Sequence, residues 1–392
     1  MNIIIYEDKI LDFLKPLTLN HSPLEIRVGA FTNFEKIKKI FSEDDDFILI
    51  VRKDIEDLIK AKFPSCNVNP KIIPNGLCLN SSAIFLETHL DLIKKDKNLS
   101  NNKKLISFHL QKKIANEDFY DIVNDKSVIT IELDITVVNN IWDIFNMPQK
   151  ILEDDFKDFL FTNSYNWHHS LIKINEDRVY IGDNCNLQAG VILDASKGPV
   201  IIDNNTIIEH HVSIKGPVYI GKGGYISSGS RIKENTIIGP VCKIGGEISH
   251  CNFLGYSNKV HEGFLGHSYI GEWVNIGAGT NNSNLKNNYS NVRILIDNKE
   301  YDTKQQFLGT LIADYTRIAI GTTINTGSYF GIGSNIFNHE FSCKYMPAFS
   351  WGANERVVFN KFIDLILKMK SRRKEKMIPS EIKFLEKLYN DI

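Results

Sequence analysis

Isoleucine returns at every sixth position from 202 to 244, through Ile202, Ile208, Ile214, Ile220, Ile226, Ile232, Ile238 and Ile244, without a slip. A helix repeats near 3.6 residues and a flat strand near two, so neither generates this series. A hexapeptide repeat does, and it is a signature of a parallel β-helix. Each hexad supplies one short strand and one corner, and its aliphatic residue fills the inside of a triangular prism. Positions four after the isoleucines are mostly small or β-branched (Thr206, Val212, Val218, Gly224, Ser230, Thr236, Cys242), as crowded corners require. The register breaks at Gly245-Gly246. A new interior phase is expected through Ile248, Leu254 and Val260, another through Phe264, Ile270 and Ile276, then Ile312, Ile318, Ile324, Phe330 and Ile336. At three hexads per coil, the repeats from Val179 to His339 predict roughly seven coils.

A chain of 392 residues exceeds one ordinary core, so more than one domain is expected. Residues 1–150 alternate short apolar strands (Asn2–Tyr6, 47–51, 83–86, 127–132) with helices (33–41, 54–62), which predicts an α/β layer with a mostly parallel sheet. The polar run 94–104 reads as an exposed loop, and 292–296 as an excursion strand within an Asn-rich interruption of the repeats. Residues 151–178 form a helical linker, 179–350 the β-helix and 351–392 C-terminal helices, with Ser380 as a candidate N-cap. Lys+Arg 46 against Asp+Glu 47 gives no bulk charge for nucleic acid or an anionic membrane. The start lacks the pattern of a signal peptide, no run approaches a membrane span, and six scattered cysteines show no C-x-x-C spacing. The expectation is a cytoplasmic protein that neither binds nucleic acid nor inserts into membranes.

The densest polar and glycine cluster of the repeats lies at 255–280, with His261, Phe264, Leu265-Gly266 and Asn275-Ile-Gly-Ala-Gly-Thr280. This stretch resembles the acetyltransferase half of the bifunctional N-acetylglucosamine-1-phosphate uridylyltransferase / glucosamine-1-phosphate N-acetyltransferase family. A shorter, divergent bacterial branch of that family is similar over nearly the whole chain, through Arg27-Val-Gly-Ala-Phe-Thr, Trp142-Asp-Ile-Phe and Ser350-Trp-Gly. The resemblance implies a nucleotidylyltransferase-like first domain, a left-handed β-helix and a homotrimer. It also implies acetyl-CoA as co-substrate at Ala278, Gly279 and Thr280, with His261 and Asn275 catalytic. Arg231, Lys233, Lys259, Phe264 and Asn284 would then bind the substrate, an amino-sugar phosphate. Two departures stand out: Phe264 lacks the hydroxyl of the family's better-known tyrosine, and Ser249 stands where a phosphate-binding lysine is found.

His261 also follows from its own surroundings. Val260 is in phase with the interior, so alternation points the next side chain outward. An exposed imidazole, with an ordinary pKa near 6.5, suits a general base that takes a proton from a sugar ammonium. The amine then attacks the thioester, and a nearby donor must stabilise the developing oxyanion. The basic run Arg372-Arg373-Lys374 is either a contact for coenzyme A phosphates or a solvated helix face.

The first domain carries weaker signals. Nucleotidylyltransferases cradle phosphates in a Gly-rich loop after the first strand; here Glu7-Asp8-Lys9 follows it. Lys15, Arg27 and Gly29 are the candidate nucleoside triphosphate contacts, and Asp143 the candidate Mg²⁺ ligand. Two alternatives stay open: acyl transfer alone with a degenerate first domain, and a non-catalytic scaffold. A zinc site built from His261, His267, His250 and His210-His211 is a further rival, but its spacing departs from that of the β-helix carbonic anhydrases.

Overall fold

The computed structural model describes every residue except 9–10, 43, 96, 126–128, 160–167, 298 and 338–342. Lys9, Ser127, Trp167 and His339 therefore lie outside the described residues. The chain divides into two compact units. One holds Met1–Ile26, Phe31–Asn140 and Ile378–Leu388; the other holds Arg27–Ala30, Ile141–Met377 and Tyr389–Ile392. The division thus falls at Asn140 rather than at 150, and residues 27–30 belong with the second unit.

In the first unit, a seven-stranded sheet has Gly76–Asn80 at its centre, and beside it Asn2–Tyr6 runs parallel both to that strand and to Asp46–Ile50. Its Ile3, Ile4, Ile5 and Tyr6 are fully buried, as expected for a strand covered on both faces. The helix Asn33–Ile40 begins where Thr32 and Glu35 satisfy each other's backbone N–H groups in a capping box. The polar run 94–104 is not a plain loop. Leu99–Asn101 and Lys104–Leu110 form an antiparallel pair there, turned by left-handed Asn102 and Lys103. Leu99, Ile106 and Phe108 are buried, so alternation lets a Lys/Asn-rich segment pair its backbone and still bury one face. The sheet is accordingly mixed, because Lys104–Leu110 is antiparallel to Gly76–Asn80 as well. Of the expected strand 83–86, Ala83–Ile84 is regular and pairs with Thr136–Val137.

The second unit is a β-helix. Ile202 lies beside Ile220 and Ile220 beside Ile238, while Ile208, Ile226 and Ile244 stack on the next face. All six are fully buried in one core cluster. Left-handed residues recur at the corners, three after the isoleucine: Asn205, His211, Gly223, Gly229, Asn235 and Val241. The small residues that follow them (Thr206, Val212, Ser230, Thr236, Cys242) are buried in the corners, as their size predicts.

After Gly245-Gly246 the expected phase is corrected. Ile232 pairs with Ile248 and Ile248 with Leu265; Ile238 pairs with Phe253, and Ile244 with Lys259. The interior positions are therefore Phe253, Lys259 and Leu265, not Leu254, Val260 and Phe264. Ile248 is interior as expected, but Phe253 comes only five residues after it, and this one shortened side sets Phe253 and Lys259 one place ahead of the expected Leu254 and Val260. Regular stacking then resumes through Ile270, Ile276, Ile312, Ile318, Phe330 and Ile336. Within the Asn-rich interruption the hairpin Arg293–Ile296/Lys299–Asp302 forms the excursion.

The helix Phe359–Arg372 lies on this unit, with Phe362 against Phe349 and Tyr315. The helix Pro379–Asp391 starts at Pro379, whose fixed φ suits a first turn, so Ser380 lies inside the helix rather than capping it. Among the described residues no helix is long and apolar enough to cross a membrane, and the six cysteines are free.

Candidate active site

The break in the isoleucine column and the candidate histidine belong to one piece of construction. His261 sits on the turn 260–263, at the prism edge between strand Asn258–Lys259 and strand Phe264–Glu272. The neighbouring coil makes room for that turn with glycine. A Cβ at Gly245 would lie 2.0 Å from the Val260 carbonyl oxygen, and one at Gly246 would lie 2.6 Å from that of Gly263. Gly246 and Gly263 themselves have φ of +80° and +130°, conformations that side chains resist. Hydrogen bonds then fix the turn: Ser227 Oγ donates to Val260 O at 2.8 Å, Glu247 N to Gly263 O at 3.2 Å, and Gly279 N to Glu262 O at 2.9 Å. The result is an exposed His261 on a closely held backbone.

The last of those bonds brings the Ala278-Gly279 corner directly beside His261-Glu262. Gly279 is exposed and Ala278 half-buried, whereas Thr280 is 1% exposed and its hydroxyl donates to Ala319 O at 3.1 Å. Thr280 therefore closes a corner and does not face a ligand. Asn275 is exposed one coil on from Asn258, whose Nδ2 donates to it at 3.5 Å.

On the other side of the edge, Arg231, Glu247 and Phe264 stand in register on neighbouring strands. Glu247 receives both Arg231 (3.3 Å) and Lys233 (2.5 Å), and these cations hold its carboxyl below the usual range. The two expected phosphate contacts are thus together, joined by a carboxylate that no sequence motif marks. Their side chains remain largely exposed, at 52% and 45%. Phe264 N donates to Asn281 Oδ1, and Asn282 holds both backbone groups of Gly266.

Asn284 lies at the next edge, where its Nδ2 donates to His267 Nδ1 at 2.9 Å. His267 stacks on His250 (4.4 Å between rings) and on Phe307 (5.2 Å). Burial, and then the His250 ring, push His267 down to about 3. The His250 and His267 rings lie face to face, and among the described residues no group of three ligating side chains within reach of one ion includes them, His261 or His210-His211. Arg373 donates to Val241 O and Asn258 Oδ1, so it ties the tail helix to the coils; Arg372 and Lys374 are exposed.

Lys259 departs furthest from expectation. It is 1% exposed, inside the prism, with its ammonium donating to His261 O at 2.6 Å. The interior phase had been read one residue late, so the substrate contact expected there is instead a core residue.

The nucleotide candidates fall in different units. Lys15 is half-buried and paired with Asp12 at 2.9 Å in the first unit. Arg27 and Gly29 belong to the second: Arg27 is buried over the Tyr219 ring, and its carbonyl accepts from Asn252. Gly29 leaves space for Asp155, whose Oδ2 accepts from Ala30 N at 2.8 Å. The segment Arg27–Ala30 therefore anchors to the β-helix unit. Asp143 lies in that unit as well.

What the first unit does assemble is a polar cluster at the C-terminal ends of its parallel strands, where open α/β sheets bind ligands. Arg52 donates to Glu7 at 3.0 Å and to the carbonyl oxygens of Thr18 and His21. Lys104 pairs with Asp8 at 2.7 Å, and Asn80 donates to the same carboxylate oxygen at 2.8 Å. Burial raises Glu7 and lowers Lys104 from their usual values. The signal for this cluster was the pair Glu7-Asp8 itself, visible as the absence of a glycine loop. One Asp8 oxygen is claimed by an ammonium and an amide, so a Mg²⁺ held here would rest on few protein oxygens beside substrate phosphates and water.

Comparison with known proteins bears on both units. Residues 3–162 match the family described as sugar nucleotidyl transferase. The bifunctional protein GlmU of Thermodesulfovibrio yellowstonii is 30% identical over 331 residues, covering 79% of this chain and 61% of that protein. That of Wigglesworthia glossinidia brevipalpis is 32% identical over 161 residues, 41% of this chain and 30% of its own length. A bifunctional sugar-1-phosphate nucleotidylyltransferase/acetyltransferase of Sulfurisphaera tokodaii is 34% identical over 150 residues, 33% of this chain and 37% of its own. In each case the chain spans less than two thirds of the relative's length.

Proposed function

From the likeness to the bifunctional GlmU proteins and the site geometry, we propose that the β-helix unit moves an acetyl group from acetyl-CoA to the amine of an amino-sugar 1-phosphate. The observation that carries this reading is the exposed His261 on a glycine-framed turn, with the Ala278-Gly279 corner bonded directly beside it.

In the reaction His261 takes a proton from the sugar ammonium. The freed amine attacks the thioester carbonyl, forming the C–N bond, and the C–S bond breaks as the tetrahedral intermediate collapses. The thiolate recovers the proton from the imidazolium, and the amine nitrogen gives up its second proton to solvent as the amide forms. Asn275 is the candidate donor to the oxyanion, and Phe264 and Asn284 flank the sugar. Arg231 and Lys233, half-neutralised by Glu247, meet the phosphate. Ala278 and Gly279 border the coenzyme. The unit works in the cytoplasm as a homotrimer.

For the first unit, transfer of a nucleotidyl group to the acetylated sugar phosphate agrees with the family match. A second reading, acyl transfer alone, is favoured by one observation: the Asp8–Lys104 pair where a phosphate cradle would lie. One experiment tests both. Hexosamine 1-phosphates are assayed for thiol release from acetyl-CoA, then for pyrophosphate release from UTP, dTTP or CTP with and without Mg²⁺. Thiol release with no pyrophosphate supports acyl transfer alone; no thiol release from any hexosamine phosphate overturns the proposal.

A further inference from the structure

A lysine occupies an isoleucine position in the interior column. In the register of the coils Ile226 lies beside Ile244, and Ile244 beside Lys259. Asn258 pairs with Asn275, which sets Ile276 over Lys259, and Ile276 in turn lies beside Ile318. An ammonium sealed in an aliphatic column is costly unless its protons are satisfied. Here they meet two backbone carbonyls, His261 O at 2.6 Å and Gly245 O at 3.4 Å.

Both carbonyls belong to the distorted edge: Gly245 opens the break in the hexad, and His261 heads the turn that fills it. A Cβ at Gly263 would stand 3.4 Å from the Lys259 ammonium, so the glycine keeps the turn folded closely over the charge. An isoleucine here would complete the column but leave the His261 carbonyl without this donor.

We propose that Lys259 is a positioning residue: from inside the prism its ammonium pins the carbonyl of His261, and so fixes the direction in which the imidazole leaves the coil. This rests on the reading of His261 as the base. The ammonium never meets the substrate. Burial lowers Lys259 to about 8, which keeps it mostly charged at neutral pH.

The test uses Lys259→Met, close in shape, and Lys259→Ile, which completes the isoleucine column. Both variants should melt at or above the wild-type temperature, because a buried charge is gone. Their kcat for acetyl transfer should fall by about tenfold or more, with KM for either substrate within about twofold, as expected when a reacting group is misplaced. Lys259→Met added to His261→Ala should slow the enzyme no further. In parallel, the His261 ring resonances should move in both variants at fixed pH. A wild-type kcat in both variants would overturn the proposal, and so would a raised KM for the sugar phosphate at unchanged kcat. If no hexosamine phosphate is acetylated by the wild type, the parent reading fails; the ring resonances still decide the role of Lys259, and unmoved resonances would refute it.

Discussion

The coils between Val200 and Ile244 and those between Gly245 and Gly309 are built on the same repeat, yet the candidate base lies in the second set, and the first lends the proposed site only its last cations, Arg231 and Lys233. In the first, isoleucine stacks on isoleucine in an aliphatic column, and small residues, some of them hydroxylated, fill the corners. In the second, three sides are shortened, glycine replaces wall residues, and a lysine, two buried asparagines and two half-buried histidines enter the fabric. The regular coils supply stability by burying aliphatic surface. The irregular ones give up part of it to hold polar groups at fixed angles, which is what a reacting site requires.

This contrast predicts unequal sensitivities. Ile220→Asp in the regular coils should cost several kcal/mol, from lost burial at about 25 cal/mol per Å² plus an unpaired buried carboxylate. Thermal melting would measure it, and an unchanged midpoint would erase the contrast at its stronger end. Gly245→Ala should cost about 1–3 kcal/mol by overpacking, because the added Cβ meets backbone oxygen at 2.0 Å. It should also lower acetyl transfer, since that oxygen belongs to the His261 turn; full activity in a destabilised variant would separate the break from the site.

Acid should weaken the irregular coils. The folded His267 has a depressed pKa, about 3, from burial and from His250. Its contribution is therefore complete above the unfolded value near 6.5 and is lost as pH falls toward 3, at no more than about 1.4 kcal/mol per pH unit. Melting of His267→Asn should depend less steeply on pH than the wild type between about pH 7 and pH 4; identical slopes would contradict this. The smallest effect expected is Ile226→Val, about 0.5–1.5 kcal/mol of stability with kcat unchanged. A loss of kcat there would show that the regular coils are not independent of the site.

The sequence disclosed these regions unequally, for physical reasons. A strict period announces itself, so the interior column and its corners were readable from Ile202 to Ile244. The position of the break was readable too, because two adjacent glycines interrupt a regular wall. Its consequence was not: one residue omitted between Ile248 and Phe253 moves the phase by one, and only strand register distinguishes Lys259 from Val260 as the inward residue. The outward position of His261 was anticipated from Val260 facing inward. It is exposed because it heads a turn two residues beyond an interior lysine. Glu247 escaped notice because its partners Arg231 and Lys233 are distant in sequence and adjacent only across a coil. In the first unit no period exists. Asp8 meets Lys104, and Glu7 meets Arg52, through pairing of strands far apart in the chain. Arg27 carried a family motif, but its side chain packs on Tyr219, which no local pattern could reveal.

The central claim, that the irregular coils hold a base for acyl transfer and the regular ones hold the fold, is tested most directly by His261→Ala. Thiol release from acetyl-CoA with a hexosamine 1-phosphate and the melting temperature would be measured on the same preparation. The account predicts a kcat lowered by about 10² to 10⁴, the range for loss of a general base, with melting unchanged. Wild-type turnover in that variant would contradict it.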